Sequence, residues 1–160
     1  MLKQLKKQDK GFTIIEVMIV LAIAGLILLI VFLAVPALQR NSRNTQRKSD
    51  IGALLAAWQE YVNNNGGTLP GAGASPAFAT NAKLGYYTTP ANISVVVWTA
   101  NVAGPNDIDK VVFYEKGKCT VPSQTGGTAN LVGAGSTRSV AATYTIEQGG
   151  GTLLDVCQDS

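Results

Sequence analysis

Glu16 is the only charged residue in the apolar stretch that runs from residue 12 to residue 38. On insertion scales, a carboxylate inside a membrane helix costs about 2.5–3.5 kcal/mol, so such residues are rare and usually functional. Glu16 follows Gly11 by five positions, and lysines precede that glycine at positions 3, 6, 7 and 10. A basic leader and a small residue beside an apolar stretch are features of a cleavable export signal. Chance placement of a basic leader, a glycine and an acid in this register is improbable, so the N-terminal segment is the candidate functional region.

Candidates for catalysis and metal binding are few. The chain contains no histidine, which removes the usual general base, Ser-His triads and imidazole metal ligands. The Gly-Ala-Gly sequences at Gly71 and Gly133 are not dinucleotide fingerprints, because Pro76 and Arg138 stand where a third glycine is needed. Residues 106–109, Asn-Asp-Ile-Asp, could offer oxygens to Ca²⁺, but the remaining ligands are unspecified and we interpret the segment as a solvated hairpin loop. We therefore predict that the protein is not an enzyme and has no cofactor or metal site.

The formal net charge of +3 is concentrated in the leader. Residues 1–11 carry four lysines against Asp9, which gives them +3, so the rest of the chain is formally neutral. No basic stripe suited to nucleic acid is evident in the C-terminal part, where lysines are spread among carboxylates. We do not predict direct nucleic-acid binding.

The apolar N-terminus fits three kinds of segment. Val17–Leu38 contains 22 residues without a formal charge, which is the length of a membrane span of roughly 20 residues. A secretory signal has an apolar region of only about 7–15 residues. A secreted protein cut near Ala37 and an uncleaved signal anchor are therefore alternatives. Because Gly11 stands before the apolar stretch and not after it, the order of residues favours a cut that leaves the anchor attached.

Residues 11–17, Gly-Phe-Thr-Ile-Ile-Glu-Val, resemble the class III signal of type IV pilins and related pseudopilins. The resemblance implies that a dedicated membrane peptidase cuts between Gly11 and Phe12, and that Phe12 is then N-methylated. It also implies that Glu16 pairs with the N-terminal amine of a neighbouring subunit. An alternative partner for Glu16 is the amine of its own chain, one helical turn away. The resemblance covers the N-terminal 62 residues and is only architectural beyond them.

Membership of this family implies a single-pass membrane protein that is later built into a cell-surface filament. The implied partners are other copies of itself or related pilins, the prepilin peptidase and the inner-membrane assembly machinery. The principal alternative is an anchored surface-binding protein that never polymerises, and the third is the secreted protein cut near Ala37. Mass spectrometry of the mature N-terminus separates the three, which would begin at methylated Phe12, at Met1 and at Leu38 respectively.

The family commonly has a helix-bending proline at the position held here by Leu33, whereas this chain has Pro36. A proline removes one backbone donor and clashes with the preceding helical turn. We therefore expect a bend or local melting near Phe32–Pro36.

The helix is predicted to continue well past the apolar stretch. After a basic cluster at positions 40, 43, 47 and 48, apolar residues recur at spacings of three and four, which indicates an amphipathic helix. These residues are Ile51, Leu54, Leu55, Trp58, Tyr61 and Val62. The sequence Asn-Asn-Asn-Gly-Gly at 63–67 is suited to end the helix. The predicted helix, 13–62, would be roughly 75 Å long, so its second half must cover a sheet.

Basic residues number four on each side of the apolar span, so the orientation of the span in a membrane is predicted mainly from the processing signal.

The C-terminal part is predicted to be a small β-sheet. Residues 66–92 look like a loop, and four strands are predicted at Ile93–Thr99, Val111–Glu115, Val140–Glu147 and Thr152–Val156. We expect an antiparallel meander packed on the helix.

Cys119 and Cys157 can form a disulfide if the C-terminal part lies outside the cytoplasm, and two buried free thiols are the alternative if it does not. A C-terminal disulfide loop is similar to that of many type IV pilins, and the 38-residue cysteine separation favours a pilin over a pseudopilin.

The predicted fold class is therefore α+β, a long N-terminal helix packed on a small antiparallel sheet. The expected organisation is a leader at 1–11 that is removed, an apolar transmembrane or filament-core helix at 12–38, an amphipathic continuation at 39–65, and a globular β-sheet head at 66–160. The predicted function is that of a structural filament subunit.

Overall fold

The computed structural model describes residues 11–74, 77–88, 90–100, 102–121, 123–125 and 131–160. The leader before Gly11, and Pro76 of the predicted loop, lie outside these residues. The chain forms two compact units, Met1–Leu38 and Gln39–Ser160. We call the second of them the head unit.

A single helix, α1, runs from Ile14 to Asn64. In the first unit, residues 11–38 are all exposed, and the helix is long and apolar enough to cross a membrane by length and composition. The helix continues through Pro36. The local melting expected near Phe32–Pro36 therefore does not occur here, because a proline in a helix interior deprives the backbone of one N–H donor without necessarily ending the helix.

The part of α1 in the head unit has one buried face, as its periodicity predicts. The buried apolar residues of α1 are Ile51, Leu54, Leu55, Trp58 and Val62, and Tyr61 packs partly buried against them. The helix ends as expected at the Asn-Gly-Gly sequence. Gly66 and Gly67 have φ values of 64° and 89°, which favour glycine, and the Gly67 N–H donates to the Val62 carbonyl at 2.8 Å.

In the part of the chain that the structure describes, the head unit has eight strands. They are β1 Gly73–Ala74, β2 Ile93–Val97, β3 Val111–Glu115, β4 Gly117–Cys119, β5 Ser123–Thr125, β6 Val132–Ala134, β7 Val140–Glu147 and β8 Leu153–Asp159. Six of them form one sheet in the order β1-β2-β3-β7-β8-β5, and β4 pairs with β6 in a separate two-stranded sheet. Short 3₁₀ helices lie at Ala77–Asn81, Pro90–Asn92 and Gly149–Gly151.

The α+β fold is confirmed, and the four predicted strands correspond to β2, β3, β7 and β8. The sheet is antiparallel except for β2 and β3, which run parallel with Ile93 opposite Val111 and Val97 opposite Glu115. The four-stranded antiparallel meander is therefore wrong at this pair. A parallel pair needs a crossover connection and not a hairpin. The chain between β2 and β3 makes this connection, and within it Val102 forms an isolated β-bridge with Val132. The region 66–92, predicted as loop, also contains β1 and two of the 3₁₀ helices.

Both faces of the main sheet are covered, because successive strand residues point to opposite faces. On one face the sheet packs on α1, where Trp58 stacks with Phe113 at a centroid distance of 5.9 Å and meets Phe78 edge-on at 5.1 Å. On the other face lies a smaller buried cluster of Tyr114, Leu131, Val132, Ala141 and Cys157. The head unit thus has three layers, with the main sheet between α1 and the β4–β6 pair.

Candidate functional site

The candidate site is the processing motif, which we define as Gly11, Phe12, Thr13 and Glu16. Residues 11–13 precede α1 and are not helical, and Phe12 is 88% exposed. A Cβ placed on Gly11 would have no other atom within 4 Å. The backbone on both sides of the predicted cut is therefore accessible in this chain.

Thr13 and Glu16 form a reciprocal cap at the start of α1. The Glu16 carboxylate accepts hydrogen bonds from the Thr13 N–H at 2.9 Å and from the Thr13 hydroxyl at 2.7 Å. In return, the Glu16 N–H donates to Thr13 Oγ1 at 3.4 Å. This is the capping-box arrangement, which satisfies backbone donors that a helix leaves free at its N-terminus. The carboxylate therefore has a partner within its own chain.

The sequence analysis did not include Thr13 in the site, although a signal for it was present. A Ser or Thr followed three positions later by Glu, just before an apolar run, is the sequence signature of a capping box. The two partners expected for Glu16 both require a free amine on Phe12, whereas in the uncut chain Phe12 contributes an amide. Pairing of Glu16 with an N-terminal amine accordingly stays a prediction.

A second polar group, which we call the ion cluster, comprises Arg43, Asn44, Arg47 and Glu147. Arg43 donates two hydrogen bonds to the Glu147 carboxylate, at 2.9 and 2.6 Å, and Arg47 donates a third at 3.1 Å. Asn44 bonds both the carbonyl and the N–H of Glu147, at 2.7 and 3.0 Å. The hydrogen bonds from Arg43, together with the one from Arg47, outweigh partial burial and lower the pKa of Glu147 to about 2. The cluster fixes the end of β7 to α1.

Asp50 performs a similar task one turn further along α1. Its carboxylate is buried and accepts the backbone N–H groups of Gly85, Tyr86 and Tyr87 at 2.6–3.1 Å, as well as the Gln46 amide at 2.9 Å. Burial alone would raise the pKa of Asp50, but these hydrogen bonds together hold it below its ordinary value. Asp50 therefore attaches the loop after α1 to the helix. The sequence analysis did not single out Asp50 or Glu147.

The disulfide prediction is confirmed: Cys119 and Cys157 are joined, with Cα atoms 5.7 Å apart. Cys157 is buried in the smaller cluster, against which Cys119 packs partly buried. The Cys119 N–H also donates to the Asp159 carboxylate at 3.1 Å. The bond therefore ties β4 to β8 on the face of the main sheet away from α1.

The residues of the 106–109 segment contact separate partners. Asp107 forms an ion pair with Lys110 at 2.9 Å, Asp109 accepts the Tyr86 hydroxyl at 3.1 Å, and the Asn106 N–H donates to Asp155. Within the described residues, no three His, Cys, Asp or Glu side chains are grouped to hold a metal. The segment belongs to the β2–β3 crossover, so its interpretation as a hairpin loop is wrong.

Comparison with known proteins adds three findings. A family model described as the prokaryotic N-terminal methylation motif matches residues 6–32, which include Gly11, Phe12 and Glu16. The chain is 34% identical over 103 residues to a fimbrial protein of Neisseria meningitidis serogroup B, an alignment that covers 61% of this chain and 58% of that protein. The chain thus spans less than two thirds of the relative's length. No solved structure matches the chain.

Proposed function

We infer that the chain is a type IV pilin-like fimbrial subunit, and we propose that it is cut after Gly11, methylated on Phe12 and polymerised through α1. The observation that carries the proposal is the register of the matched methylation motif. Two features of the chain support it: Gly11 and Phe12 lie in exposed, non-helical backbone, and Glu16 lies in the first turn of an exposed apolar helix. The similarity to a fimbrial protein supports the coarser inference, that the chain is a fimbrial subunit.

The apolar surface of the first unit supports polymerisation. Large apolar side chains from Phe12 to Leu38 are exposed, and a soluble protein rarely exposes an apolar surface of this extent. In a membrane-anchored precursor, lipid would cover this apolar surface. In a surface filament, the helices of other copies would cover it. Small residues at Ala22, Ala24 and Gly25 permit close approach of such helices.

Pairing of Glu16 with the amine of another copy would make assembly directional. An amine and a carboxylate each cost several kcal/mol to bury alone, and pairing them offsets much of that cost. The hydrogen bonds from Thr13 give the Glu16 carboxylate a partner until such an amine arrives. The carboxylate is therefore not left unpaired before assembly. The chemistry of the cut belongs to the proposed partner, prepilin peptidase, and the movement into the filament to the inner-membrane assembly machinery.

The test of processing is mass spectrometry of the N-terminus of the exported protein. We expect a product that begins at Phe12 and carries one N-methyl group. Gly11→Val should leave a full-length, membrane-held precursor, because a branched side chain beside the scissile bond obstructs the peptidase. Gly25→Val provides the control, since it makes the same exchange inside the apolar stretch and should still be cut. Normal accumulation of a product that begins at Phe12 from Gly11→Val would contradict the proposal.

A further inference from the structure

Asn65 and Gly66 form the only Asn-Gly pair in the sequence, and they lie just after the end of α1. An asparagine side chain can be attacked at its carbonyl carbon by the backbone nitrogen of the next residue. Glycine in that next position leaves the attack unhindered, because it has no Cβ and its backbone rotates freely. The pair is therefore the place in this chain where such a reaction is chemically easiest.

The structure leaves the attacking nitrogen free. Asn65 and Gly66 are both exposed, and a Cβ placed on Gly66 would have no other atom within 4 Å. Within the described residues, the Gly66 N–H has no hydrogen-bond acceptor, although the N–H groups on either side of it are bonded. Water and base reach the pair, and no backbone hydrogen bond of Gly66 has to break before its nitrogen reacts.

Asn64 shows the opposite arrangement only one residue away. The nitrogen that would attack its side chain is that of Asn65, whose N–H donates to the Tyr61 carbonyl at 3.0 Å in the last turn of the helix. Both asparagines are exposed. The difference between them is therefore the hydrogen bonding of the following nitrogen, together with the side chain of the following residue.

One contact opposes the reaction. The Asn65 side-chain amide donates to the Tyr61 carbonyl at 2.8 Å, and this bond has to open before Cγ can approach the Gly66 nitrogen. Because the bond is exposed, water can replace both partners at little net cost. It slows the reaction at Asn65 without preventing it.

We propose that Asn65 is a site of spontaneous deamidation. The Gly66 nitrogen forms a bond to Cγ of Asn65 and gives its proton to solvent base, and the side-chain nitrogen takes a proton from water and leaves as ammonia. Water then opens the resulting succinimide at either carbonyl, which produces aspartate or isoaspartate. The net change is uptake of one water and release of one ammonia, and neither an oxidant nor a reductant is needed.

The product would weaken the end of α1. A carboxylate at position 65 cannot donate to the Tyr61 carbonyl, and its negative charge lies at the negative end of the helix dipole. Isoaspartate also inserts a methylene into the backbone between the groups that make the Gly67-to-Val62 hydrogen bond, and the Asn65 carbonyl that accepts the Thr68 N–H becomes part of a free carboxylate. The modification requires only the folded head unit, so the inference does not depend on the proposed function.

The test is peptide mapping of the full-length chain in detergent micelles, incubated in warm, mildly alkaline water enriched in heavy oxygen. We expect Asn65 to convert at least tenfold faster than Asn64, taking up one heavy oxygen and giving both aspartate and isoaspartate. Equal rates at the two positions would overturn the proposal. Asn65→Gln keeps the amide but requires a larger ring, so it should lose the fast-forming acidic species. Appearance of that species at the wild-type rate in Asn65→Gln would also overturn it.

Discussion

In the uncut chain the Glu16 carboxylate accepts hydrogen bonds from Thr13, and in the proposed filament it pairs with an amine of another copy. A substitution at this residue should therefore affect assembly without preventing folding of the head unit. Glu16→Ala removes an acid from an apolar segment and should ease membrane insertion by the few kcal/mol that a carboxylate costs there. It leaves the incoming amine without a partner, which carries a large penalty in an apolar core. We expect a protein that is processed, stable in the membrane and scarce in filaments.

The measurement is the ratio of sheared surface filament to membrane-held subunit. Glu16→Gln is the matched control, because it keeps the size and polarity of the side chain and removes the charge. A low ratio for both variants would assign the effect to charge. A wild-type filament yield from Glu16→Ala would instead favour the anchored protein that does not polymerise.

Glu147 makes the stability of the head unit depend on pH. Its pKa is lowered from 4.5 to about 2, so the native state binds its proton less readily than the unfolded state. The stabilisation is therefore complete above about pH 4.5 and is lost as the pH falls towards 2. We expect a loss of roughly 1–2 kcal/mol, after allowance for solvent screening at the half-exposed Arg43.

The check is denaturant unfolding of the full chain in micelles, followed by tryptophan signals across this pH range. Glu147→Gln should be less stable than wild type near neutral pH and should show a smaller loss on acidification. Asp50 titrates in both proteins and so does not affect the difference between them. Identical pH profiles for the two proteins would show that the ion cluster contributes nothing measurable.

Single residues differ in how readily a sequence predicts them. Thr13 and Glu16 are three positions apart and follow a known local signature, so their contact could have been predicted. Arg43 and Glu147 are separated by 104 positions, and no local pattern relates them. Only the docking of β7 on α1 brings them together.

At the level of elements, the turn between β3 and β4 contains a strained position. Lys116 has a φ of 61°, a left-handed conformation that costs an L-residue roughly 1–2 kcal/mol relative to glycine. Its backbone is held on both sides, because its N–H donates to the Ser139 carbonyl and its own carbonyl accepts the Gly135 N–H.

Lys116→Gly should therefore stabilise the head unit by about 0.5–1 kcal/mol, the relief of strain being partly offset by the greater freedom of glycine when unfolded. Lys118→Gly is the matched control, since Lys118 is an exposed lysine inside β4 and the same exchange should destabilise that strand. Free energies of unfolding from denaturant titration decide between these signs. A destabilised Lys116→Gly would show that the lysine side chain matters more than the turn.

The elements with strong periodicity were predictable, and those defined by distant pairing were not. The helix and the strands β2, β3, β7 and β8 carry enough apolar pattern to be recognised. The strands β1, β4, β5 and β6 have only two or three residues each, which is too few to show an alternation. The parallel pairing of β2 with β3 depends on the path of residues 98–110, which propensity does not encode.

At the scale of the whole molecule, the four basic residues that follow the apolar stretch do not all have the same role. Arg43 and Arg47 are bound to Glu147 in the head unit. Arg40 and Lys48 form no ion pair within the described residues. Two of the four basic residues on this side therefore have a structural role in the head unit, and the equal counts of basic residues on the two sides leave the orientation of the span to the proposed processing signal.

The disulfide should contribute much of the stability of the head unit. A cross-link closing a loop of this size stabilises by about 4 kcal/mol in the chain-entropy account. The double variant Cys119→Ser, Cys157→Ser should lower the free energy of unfolding by a comparable amount. Denaturant unfolding of oxidised and reduced wild type provides the comparison, because reduction should reproduce the effect in wild type and do nothing to the variant. A variant as stable as the oxidised wild type would contradict the expectation.

The same bond limits how far the protein can be stretched. Cys119 and Cys157 are 38 positions apart, and a fully extended chain of that length measures about 130 Å. A pull applied between α1 and the C-terminus cannot lengthen this part of the chain until the covalent bond is reduced. If the chain forms a filament as proposed, the segment between Cys119 and Cys157 would therefore keep its length under tension, and any lengthening would occur in the segments that precede it.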